Sequence, residues 1–371
     1  MEKKLQHIAV LPGDGIGPEV TDQAVKVLEA ISERYGHEFR FTCGLIGASA
    51  IDKTGDPFPE ETLALCKESD AILLGAIGDP RFDKDPNAKV RPEQGLLRMR
   101  KALGLYANVR PIKIYDNLAG LSVIKPEILE NVDFVIYREL TGGIYFGKKK
   151  KEADFSSDEC LYYRYEVERI AKLAFAEAAR RNKKLCLVDK ANVLESSRLW
   201  RDVVMDYAKL YDDVEVEYLY IDNAAMQMIL NPSRFDVLLC SNMFGDILSD
   251  EANVLVGSLG LLSSSSRGDD HSLYEPVHGS YPEAAGKDIA NPLATIMSAE
   301  MMLRDAGMVE EADTINRAIN FCMEKSIMTE DLNPDIHYSC SQMGDIIQSL
   351  ILDGPESLKI RSIREANSTI L

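Results

Sequence analysis

The chain has 371 residues, of which 42 are Lys or Arg and 60 are Asp or Glu, so its formal net charge is −18. Hydrophobic residues make up 46% and charged residues 27%, a globular mixture that excludes a disordered or collagen-like chain. The negative charge argues against a nucleic-acid partner, because a polyanion meets a repulsive average field. The sequence therefore predicts a folded, soluble protein of one or two domains.

Strands and helices are predicted to alternate along the chain. The predicted strands are 7–11, 38–43, 71–75, 134–137, 185–188, 214–221 and 237–240. The predicted helices are 18–35, 59–68, 165–181 and 196–209. This alternation is typical of an α/β fold. Between them, Lys148–Lys151 lie in a stretch without apolar periodicity, which predicts an exposed loop or hairpin arm whose lysines form a solvated face.

Cysteine usage and the N-terminus bear on location. Seven cysteines are widely spaced without a CxxC pair, which argues against zinc or redox chemistry and for a reducing cytoplasm. Residues 1–10 lack the apolar region and cleavage site of a signal peptide. Residues 254–266, among the longest uncharged stretches, fall short of the roughly 20 apolar residues that span a bilayer. We expect a cytoplasmic protein that does not cross a membrane.

A glycine-rich segment, LPGDGIGPE at 11–19, follows the first strand and opens a helix, as a phosphate-binding loop would. Its GxGxG spacing misses the GxGxxG dinucleotide fingerprint by one residue, and no acidic residue stands at a strand end about 20 residues later. Taken alone, the segment favours a plain tight turn before a helix that starts near Pro18.

Acidic residues follow two predicted strands. A helix that begins near Phe244 places Asp246 and Asp250 at i and i+4, on one face. Two carboxylates so close repel each other unless they are protonated or bridged by a cation, and a hard divalent ion that prefers oxygen ligands is the usual bridge. The alternative, which is more common for such a pair, is two solvent-exposed carboxylates without a ligand. Asp222, after the strand 214–221, is a third candidate. The spacing leaves open whether the three converge.

Basic residues and one tyrosine complete the candidate chemistry. Arg100, Arg110 and Arg138 suit a substrate with several carboxylates, because guanidinium groups bind carboxylates bidentately; ordinary surface ion pairs are the alternative. Lys190 follows the strand 185–188, at the sheet edge where open α/β sheets bind ligands, and is a candidate base. Tyr145, in the glycine-flanked GGIYFG, is a candidate proton donor.

Five motifs occur in an order that resembles the isocitrate/isopropylmalate dehydrogenase family of β-decarboxylating dehydrogenases. They are residues 11–19, 138–147, 188–193, 242–250 and 275–280. The resemblance covers nearly the whole chain and implies an α/β, two-domain fold that is not a standard Rossmann fold, with the active site in the interdomain cleft. It implies a cofactor-binding domain at 1–105 plus 258–371 and a central substrate and dimerisation domain at 106–257, with an exposed arm near 147–160.

The resemblance also implies a role for each motif residue. Arg100, Arg110 and Arg138 would hold the carboxylates of a malate, while Asp246 and Asp250 with Asp222 of the partner subunit would bind Mg²⁺ or Mn²⁺. The same resemblance makes Lys190 the base and Tyr145 the acid. It implies a homodimer with shared active sites, inactive as a monomer, in which four residues reach across to the partner's site. These are Lys190, Asn192, Val193 and Asp222.

The implied reaction is the NAD- and metal-dependent oxidative decarboxylation of 3-isopropylmalate to 4-methyl-2-oxopentanoate, a step of leucine biosynthesis. The segment PEQGLL at 92–97 matches the isopropylmalate pattern, so Glu93, Leu96 and Leu97 would contact substrate, with Val193 completing an apolar pocket. The alternatives are a sibling enzyme that acts on tartrate, malate or homoisocitrate, and a noncatalytic regulatory subunit. The intact set of acid, base and carboxylates argues against the second.

The cofactor segment departs from the family pattern at two positions. The implied cofactor-binding residues are Ile16, His278, Gly279, Ser280, Glu283 and Asn291. Relatives usually carry alanine at the position of Tyr281 and aspartate at that of Glu283. A carboxylate at Glu283 repels a 2′-phosphate, so NAD is expected rather than NADP. Whether Tyr281 stacks on the cofactor or crowds it is left open.

Overall fold

The computed structural model of the protein describes residues 5–84 and 90–355. The strands are β1 (His7–Gly13), β2 (Arg40–Cys43), β3 (Ala71–Ala76), β4 (Ala107–Lys113), β5 (Asp133–Glu139), β6 (Lys149–Lys151), β7 (Ser156–Asp158), β8 (Lys184–Asp189), β9 (Glu215–Tyr220), β10 (Val237–Cys240), β11 (Ser263–Arg267) and β12 (Ser272–Pro276). Every strand predicted from the pattern is present, with ends that differ by a few residues. The α/β prediction is confirmed.

The helices alternate with these strands. They are α1 (Gly17–Tyr35), α2 (Ala48–Thr54), α3 (Glu60–Glu68), α4 (Pro80–Lys84), α5 (Pro92–Ala102), α6 (Pro126–Leu129), α7 (Arg164–Arg180), α8 (Glu195–Ala208), α9 (Ile221–Leu230), α10 (Asn242–Val256), α11 (Leu293–Asp305), α12 (Val309–Glu324) and α13 (Cys340–Asp353). The helix expected near Phe244 begins two residues earlier, at Asn242. Within the described ranges, none of the helices is long and apolar enough to cross a membrane.

The chain divides into two compact units. Unit 1 holds the described residues up to Leu103, Leu259–Ser263 and those from His271 onward, and unit 2 holds Gly104–Ser258 and Ser264–Asp270. The family resemblance implies that 264–270 belongs to the cofactor domain together with the rest of the C-terminal part. In the structure this segment belongs to unit 2, because β11 pairs antiparallel with β4, with Ser265 opposite Val109.

Unit 1 is built on parallel strands in the order β2-β1-β3-β12. All six residues of β3 are buried, as expected for a strand covered on both faces. Helix α1 buries the apolar positions Val20, Val27 and Ile31 and ends at Gly36, whose φ of 71° is left-handed. The core of this unit therefore lies between the sheet and its covering helices.

Unit 2 has strands in the order β11-β4-β5-β10-β8-β9. From β5 to β9 the neighbours are parallel, so these strands end at a common edge. The chain leaves that edge towards Tyr145 after β5, at Lys190 after β8, at Asp222 after β9 and into α10 after β10. The parallel topology thus gathers the candidate site residues of this unit at one edge of the sheet.

The predicted exposed arm is an antiparallel hairpin of β6 and β7. All six strand residues are exposed, including three of the four consecutive lysines. The ammonium of Lys150 lies 4.8 Å from the centre of the Phe155 ring, a cation–π contact across the arm.

Candidate active site

One face of α10 carries two carboxylates and meets two arginines. Asp246 accepts a hydrogen bond from Arg138 Nη1, and Arg110 Nη1 lies 3.3 Å from Asp250 Oδ1 and 2.7 Å from Ser249 Oγ. The spacing of the two aspartates therefore does place them on one helix face. Neither aspartate is only a solvated surface residue, because each carboxylate contacts a largely buried guanidinium group.

The register of β4 and β5 explains why both arginines reach α10. Arg138 lies opposite Asn108 in the antiparallel ladder, and Arg110 is two residues beyond Asn108 on the same strand. Residues two apart on a strand share a face, so Arg110 and Arg138 project from the same side of the sheet. Asn108 Oδ1 also accepts a hydrogen bond of 2.9 Å from Arg110 Nε. The sheet therefore presents two guanidinium groups side by side.

Asn242 holds Arg138 in place, a role that the sequence motifs did not indicate. Its Oδ1 accepts hydrogen bonds from Arg138 Nε at 3.2 Å and Nη2 at 2.9 Å. Its Nδ2 donates to the carbonyls of Leu140 and Gly142, both at 3.1 Å. The side chain is buried and uses both its donor and its acceptor atoms. The only sequence signal is its place two residues after a buried strand and four residues before Asp246.

Tyr145 stands against the same carboxylate. Its hydroxyl donates to Asp246 Oδ2 at 2.8 Å, and its ring centre lies 6.0 Å from Arg138 Cζ. Partial burial and the neighbouring Asp246 carboxylate raise the pKa of the Tyr145 hydroxyl. Tyr145 therefore keeps its proton at neutral pH, as a proton donor must.

A buried carboxylate organises the turn that leads to Tyr145, and it too was missed from the sequence. Glu139 is fully buried and accepts hydrogen bonds from the backbone N–H groups of Thr141 and Gly142, at 3.0 and 2.7 Å. Arg169 Nη2 donates to its other oxygen at 2.9 Å. Burial raises the pKa of Glu139 and outweighs these hydrogen bonds, which lower it.

Lys190 and Asp222 form a separate pair at the ends of β8 and β9. Lys190 Nζ lies 2.5 Å from Asp222 Oδ1, and this contact lowers the pKa of the Asp222 carboxyl. The two strands pair directly, with Asp189 opposite Tyr220, which brings the following residues together. Asn192 and Val193 continue the chain as exposed residues, Val193 at 63%.

The donor set suits a hard divalent cation only in part. Asp246 and Asp250 supply carboxylate oxygens from one helix face, which is the ligand chemistry that Mg²⁺ and Mn²⁺ prefer. Among the residues that the structure describes, no group of three His, Cys, Asp or Glu side chains is placed to hold a metal ion. Asp222 of the same chain therefore does not form a three-carboxylate group with Asp246 and Asp250.

In unit 1 the glycine-rich segment is a tight turn. Gly15 has a φ of 58°, and a Cβ there would overlap the carbonyl oxygen of Ser280, so only glycine fits. The N–H of Ile16 donates to that same carbonyl at 2.8 Å. Of the predicted cofactor residues, the Ile16 backbone thus lies against Ser280, while the Ile16 side chain packs into a small apolar core with Val20 and Ala284.

Among the remaining cofactor candidates, His278 has a ring nitrogen that forms no hydrogen bond with the described residues. Its Nδ1 lies 2.9 Å from the Gly279 carbonyl, and its Nε2 is buried without a partner among the described residues. Burial lowers the pKa of the imidazole, so the ring is neutral at pH 7. An orphaned polar atom beside a glycine turn fits a bound nucleotide.

Three further residues of the cofactor segment differ in how available they are. Glu283 is exposed, with its carboxylate free to meet a ligand from solvent. Asn291 is already used inside the fold, because it donates to Asp331 at 3.1 Å and caps the Leu293 N–H at 3.0 Å. Tyr281 is 56% exposed on a left-handed backbone with a φ of 39°.

The predicted substrate contacts of unit 1 lie on α5. Glu93 and Leu97 are exposed, Leu96 is partly buried, and Arg100 Nη2 donates to Glu275 Oε1 at 2.8 Å. Arg100 Nε is buried without a partner among the described residues. Arg100 therefore keeps a donor free for an anionic ligand.

The family model described as isocitrate/isopropylmalate dehydrogenase matches residues 7–347. The chain belongs to this family. It is 52% identical over 356 residues to the 3-isopropylmalate dehydrogenase of Geobacillus kaustophilus, covering 94% of this chain and 96% of the relative. It is 51% identical over 363 residues to the 3-isopropylmalate dehydrogenase of Aquifex aeolicus, covering 96% and 99%.

Solved structures agree with this membership of the isocitrate/isopropylmalate dehydrogenase family. An isocitrate dehydrogenase from Methylococcus capsulatus superimposes with a TM-score of 0.82 at 36% identity, covering 94% of this chain and all of that one. A β-decarboxylating dehydrogenase from Thermococcus kodakarensis gives 0.79 at 36% identity, covering 94% and 97%. The resemblance inferred from five motifs is confirmed, and the protein is an oxidoreductase of this family.

Proposed function

We propose that the protein catalyses the NAD-linked, divalent-metal-dependent oxidative decarboxylation of 3-isopropylmalate to 4-methyl-2-oxopentanoate, in the cytoplasm, as a step of leucine biosynthesis. The observation that carries the proposal is the cluster on α10, where Arg110, Arg138 and Tyr145 meet two carboxylates. That cluster can bind acid groups, hold a cation and donate a proton, which are three of the tasks that this reaction requires. Two relatives that are named 3-isopropylmalate dehydrogenase are 52% and 51% identical to this chain.

The arginines would bind the two carboxylates of the substrate. Arg138 and Arg110 already hold fixed positions through Asn242 and Asn108, so little side-chain freedom is lost on binding. Hydrogen bonds between a guanidinium and a carboxylate contribute about 1.5–3 kcal/mol when they are sheltered from water. Arg100 in unit 1, with its unpartnered Nε, would contribute a third cationic contact.

Asp246 and Asp250 would hold Mg²⁺ or Mn²⁺ together with Asp222 of the partner subunit. When bound, the cation polarises the substrate hydroxyl and stabilises negative charge on oxygen, while NAD⁺ is the hydride acceptor. With both carboxylates engaged by a cation, the hydrogen bonds from Arg138 and Tyr145 would be freed in part for the substrate.

Two residues of this chain would move protons. Lys190, as the neutral amine, would take the proton of the substrate hydroxyl, directly or through water, and become the ammonium. Its contact with Asp222 holds the side chain at the sheet edge. Tyr145 would donate a proton to the carbon that loses carbon dioxide. The raised pKa of Tyr145 keeps that proton available across the neutral range.

We further propose a homodimer in which Lys190, Asn192, Val193 and Asp222 serve the partner's site. Support comes from apolar side chains exposed on α9 and α10: Met226 at 56%, Leu230 at 65% and Ile247 at 55%. An exposed apolar face of this kind typically marks an interface. A dimer through these helices would also supply the third carboxylate that a single chain lacks around Asp246.

His278 and Glu283 would hold the adenosine part of the cofactor. The neutral imidazole has a buried nitrogen ready to form a hydrogen bond, and the exposed Glu283 carboxylate suits ribose hydroxyls. A 2′-phosphate would be repelled by that carboxylate, so NAD⁺ is favoured over NADP⁺.

The assay that tests the reaction follows NADH or NADPH absorbance with purified protein and Mg²⁺. Substrates compared are 3-isopropylmalate, malate, tartrate, isocitrate and homoisocitrate. We expect 3-isopropylmalate with NAD⁺ to give the highest kcat/KM, with side activity on related malates because one methylene changes discrimination by only about 1–3 kcal/mol. Strong turnover of isocitrate alone would contradict the proposed pocket of Leu96, Leu97 and Val193.

Mixing two inactive variants tests whether the site is shared. Lys190→Met and Asp246→Asn are each expected to abolish turnover. When they are denatured and refolded together, mixed dimers contain one intact site, so up to about a quarter of wild-type activity should return. If both residues serve a site within their own chain, the mixture stays inactive.

A further inference from the structure

The last residue of β8, Asp189, is a buried carboxylate directly before the candidate base Lys190. Its side chain is only 2% exposed. Arg201 on α8 meets it with two hydrogen bonds, from Nε to Oδ2 at 2.8 Å and from Nη2 to Oδ1 at 2.9 Å. A planar guanidinium group that binds both oxygens of a carboxylate fixes its direction as well as its distance. The pair therefore holds the end of β8 against α8.

The same carboxylate and the same helix also hold the backbone of the turn that carries Lys190. Asp189 Oδ1 accepts a hydrogen bond of 2.9 Å from the N–H of Ala191. Ser197 Oγ accepts one of 3.1 Å from the N–H of Lys190. Ser197 and Arg201 are four residues apart on α8 and so share a face. One face of α8 therefore fixes two successive residues of the turn.

Arg201 further contacts the ring beside which the Lys190 side chain lies. Its Cζ lies 5.2 Å from the centre of the Tyr218 ring and 5.5 Å from that of the Tyr220 ring. These tyrosines are two residues apart on β9 and share a face of the strand. Lys190 Nζ lies 6.0 Å from the centre of the same Tyr220 ring and contacts Asp222. Arg201 is thus linked to Lys190 through the backbone and through a shared aromatic ring.

We propose that Arg201 is a positioning residue for Lys190. It fixes the backbone of the turn through Asp189 and the place of the lysine side chain through Tyr220. This inference rests on the proposed function, in which Lys190 takes the proton of the substrate hydroxyl. A general base must lie within hydrogen-bond reach of its proton, and a misplacement of about 1 Å can cost a factor of about a hundred in rate. Loss of Arg201 should therefore slow the chemical step and leave ligand binding unchanged.

A second buried ion pair of unit 2 provides a matched control. Arg181 Nε donates to Asp236 Oδ1 at 2.8 Å, and the two side chains are 22% and 2% exposed, against 28% and 2% for Arg201 and Asp189. Asp236 directly precedes β10, whereas Asp189 ends the neighbouring parallel strand β8. The two pairs are about equally buried but lie at opposite edges of the sheet, so only one of them borders Lys190.

Hydrogen exchange followed by mass spectrometry tests the positioning without any turnover. In the wild type, the N–H groups of Ala191 and Val193 form hydrogen bonds within the turn. Arg201→Met should raise the exchange rate of a peptide that covers 190–194 about tenfold or more, because the turn opens more often. Arg181→Met should leave that peptide unchanged. Equal exchange in Arg201→Met and in the wild type would overturn the proposal.

The rate of NADH formation in a single turnover tests the consequence for catalysis. Arg201→Met should lower this rate about ten- to a hundredfold, with KM for 3-isopropylmalate and for NAD⁺ unchanged. Arg181→Met should lose a similar amount of stability in urea and keep the wild-type rate. An unchanged rate in Arg201→Met, or an equal fall in both variants, would overturn the proposal.

Arg201→Lys keeps the test decisive if Arg201→Met does not fold, since removal of the guanidinium group leaves Asp189 buried without its ion-pair partner. Lysine retains the positive charge but replaces the planar two-point contact with a point charge. We expect a folded protein whose single-turnover rate is about three- to tenfold below that of the wild type. A wild-type rate in Arg201→Lys would overturn the proposal.

The two measurements separate this proposal from the proposed function. If the wild type turns over none of the acids but Arg201→Met raises exchange at 190–194, the proposed function is wrong and the anchoring of the turn by Arg201 is supported. If the wild type oxidises 3-isopropylmalate and Arg201→Met keeps both the rate and the exchange of the wild type, the positioning role alone is wrong.

Discussion

Replacing Asn242 by alanine should both destabilise unit 2 and weaken substrate binding. The change removes two hydrogen bonds to buried carbonyls, those of Leu140 and Gly142, and the acceptor that fixes Arg138. At about 1 kcal/mol for each carbonyl and about 1.5 kcal/mol for the charged partner, the free energy of unfolding should fall by about 3–4 kcal/mol.

Urea unfolding followed by circular dichroism measures this loss of stability. Asn320→Ala is the matched control, because Asn320 is a partly buried helical asparagine whose side chain makes one hydrogen bond of 2.8 Å, to Asn316. The control should lose about 1 kcal/mol or less. An Asn242→Ala midpoint equal to that of the control would refute the view that this residue joins β5, the Tyr145 turn and α10.

The kinetic consequence can be measured on the same samples. Without its acceptor, Arg138 must be reordered on binding a carboxylate, so kcat/KM should drop about tenfold or more, and tenfold corresponds to about 1.4 kcal/mol. Most of the change should appear in KM for the acid substrate if Arg138 binds it in the ground state. An unchanged kcat/KM would show that Arg138 does not bind the substrate.

Three further outcomes follow. Gly245→Ala should lower stability by about 1–3 kcal/mol and impair activity, because its Cβ would lie 2.7 Å from Arg138 Cβ; Gly120→Ala, which meets nothing, should be neutral in both assays. A chelator should abolish turnover, and added Mg²⁺ or Mn²⁺ should restore it; full activity in the chelator would exclude a metal-dependent reaction. A thiol reagent should label only the exposed Cys43 and Cys160 of the folded protein, even when the pH is raised to about 9. Burial raises the pKa of Cys66, Cys240, Cys322 and Cys340 to about 12 and that of Cys186 well above its usual range, so these thiols stay protonated until unfolding exposes all seven. Fast labelling of more than two would contradict the burial.

Local sequence patterns were sufficient to predict most of the strands, one face of a helix and a tight turn. Apolar runs placed the strands, and a buried strand such as Val237–Cys240 was predicted to the residue because all four of its side chains are buried. Helical periodicity put Asp246 and Asp250 on one face. The glycine segment was correctly interpreted as a tight turn, since Gly15 requires a left-handed backbone. The motif order was sufficient to recognise the family.

Only the tertiary structure decided which of these groups meet. Arg138 and Asn242 are 104 residues apart in sequence, and their contact depends on β5 and β10 being neighbours in the sheet. The same holds for residues 264–270, which joined unit 2 because β11 pairs with β4. Strand order is set by packing between distant segments, and a periodicity of two or 3.6 residues carries no information about it.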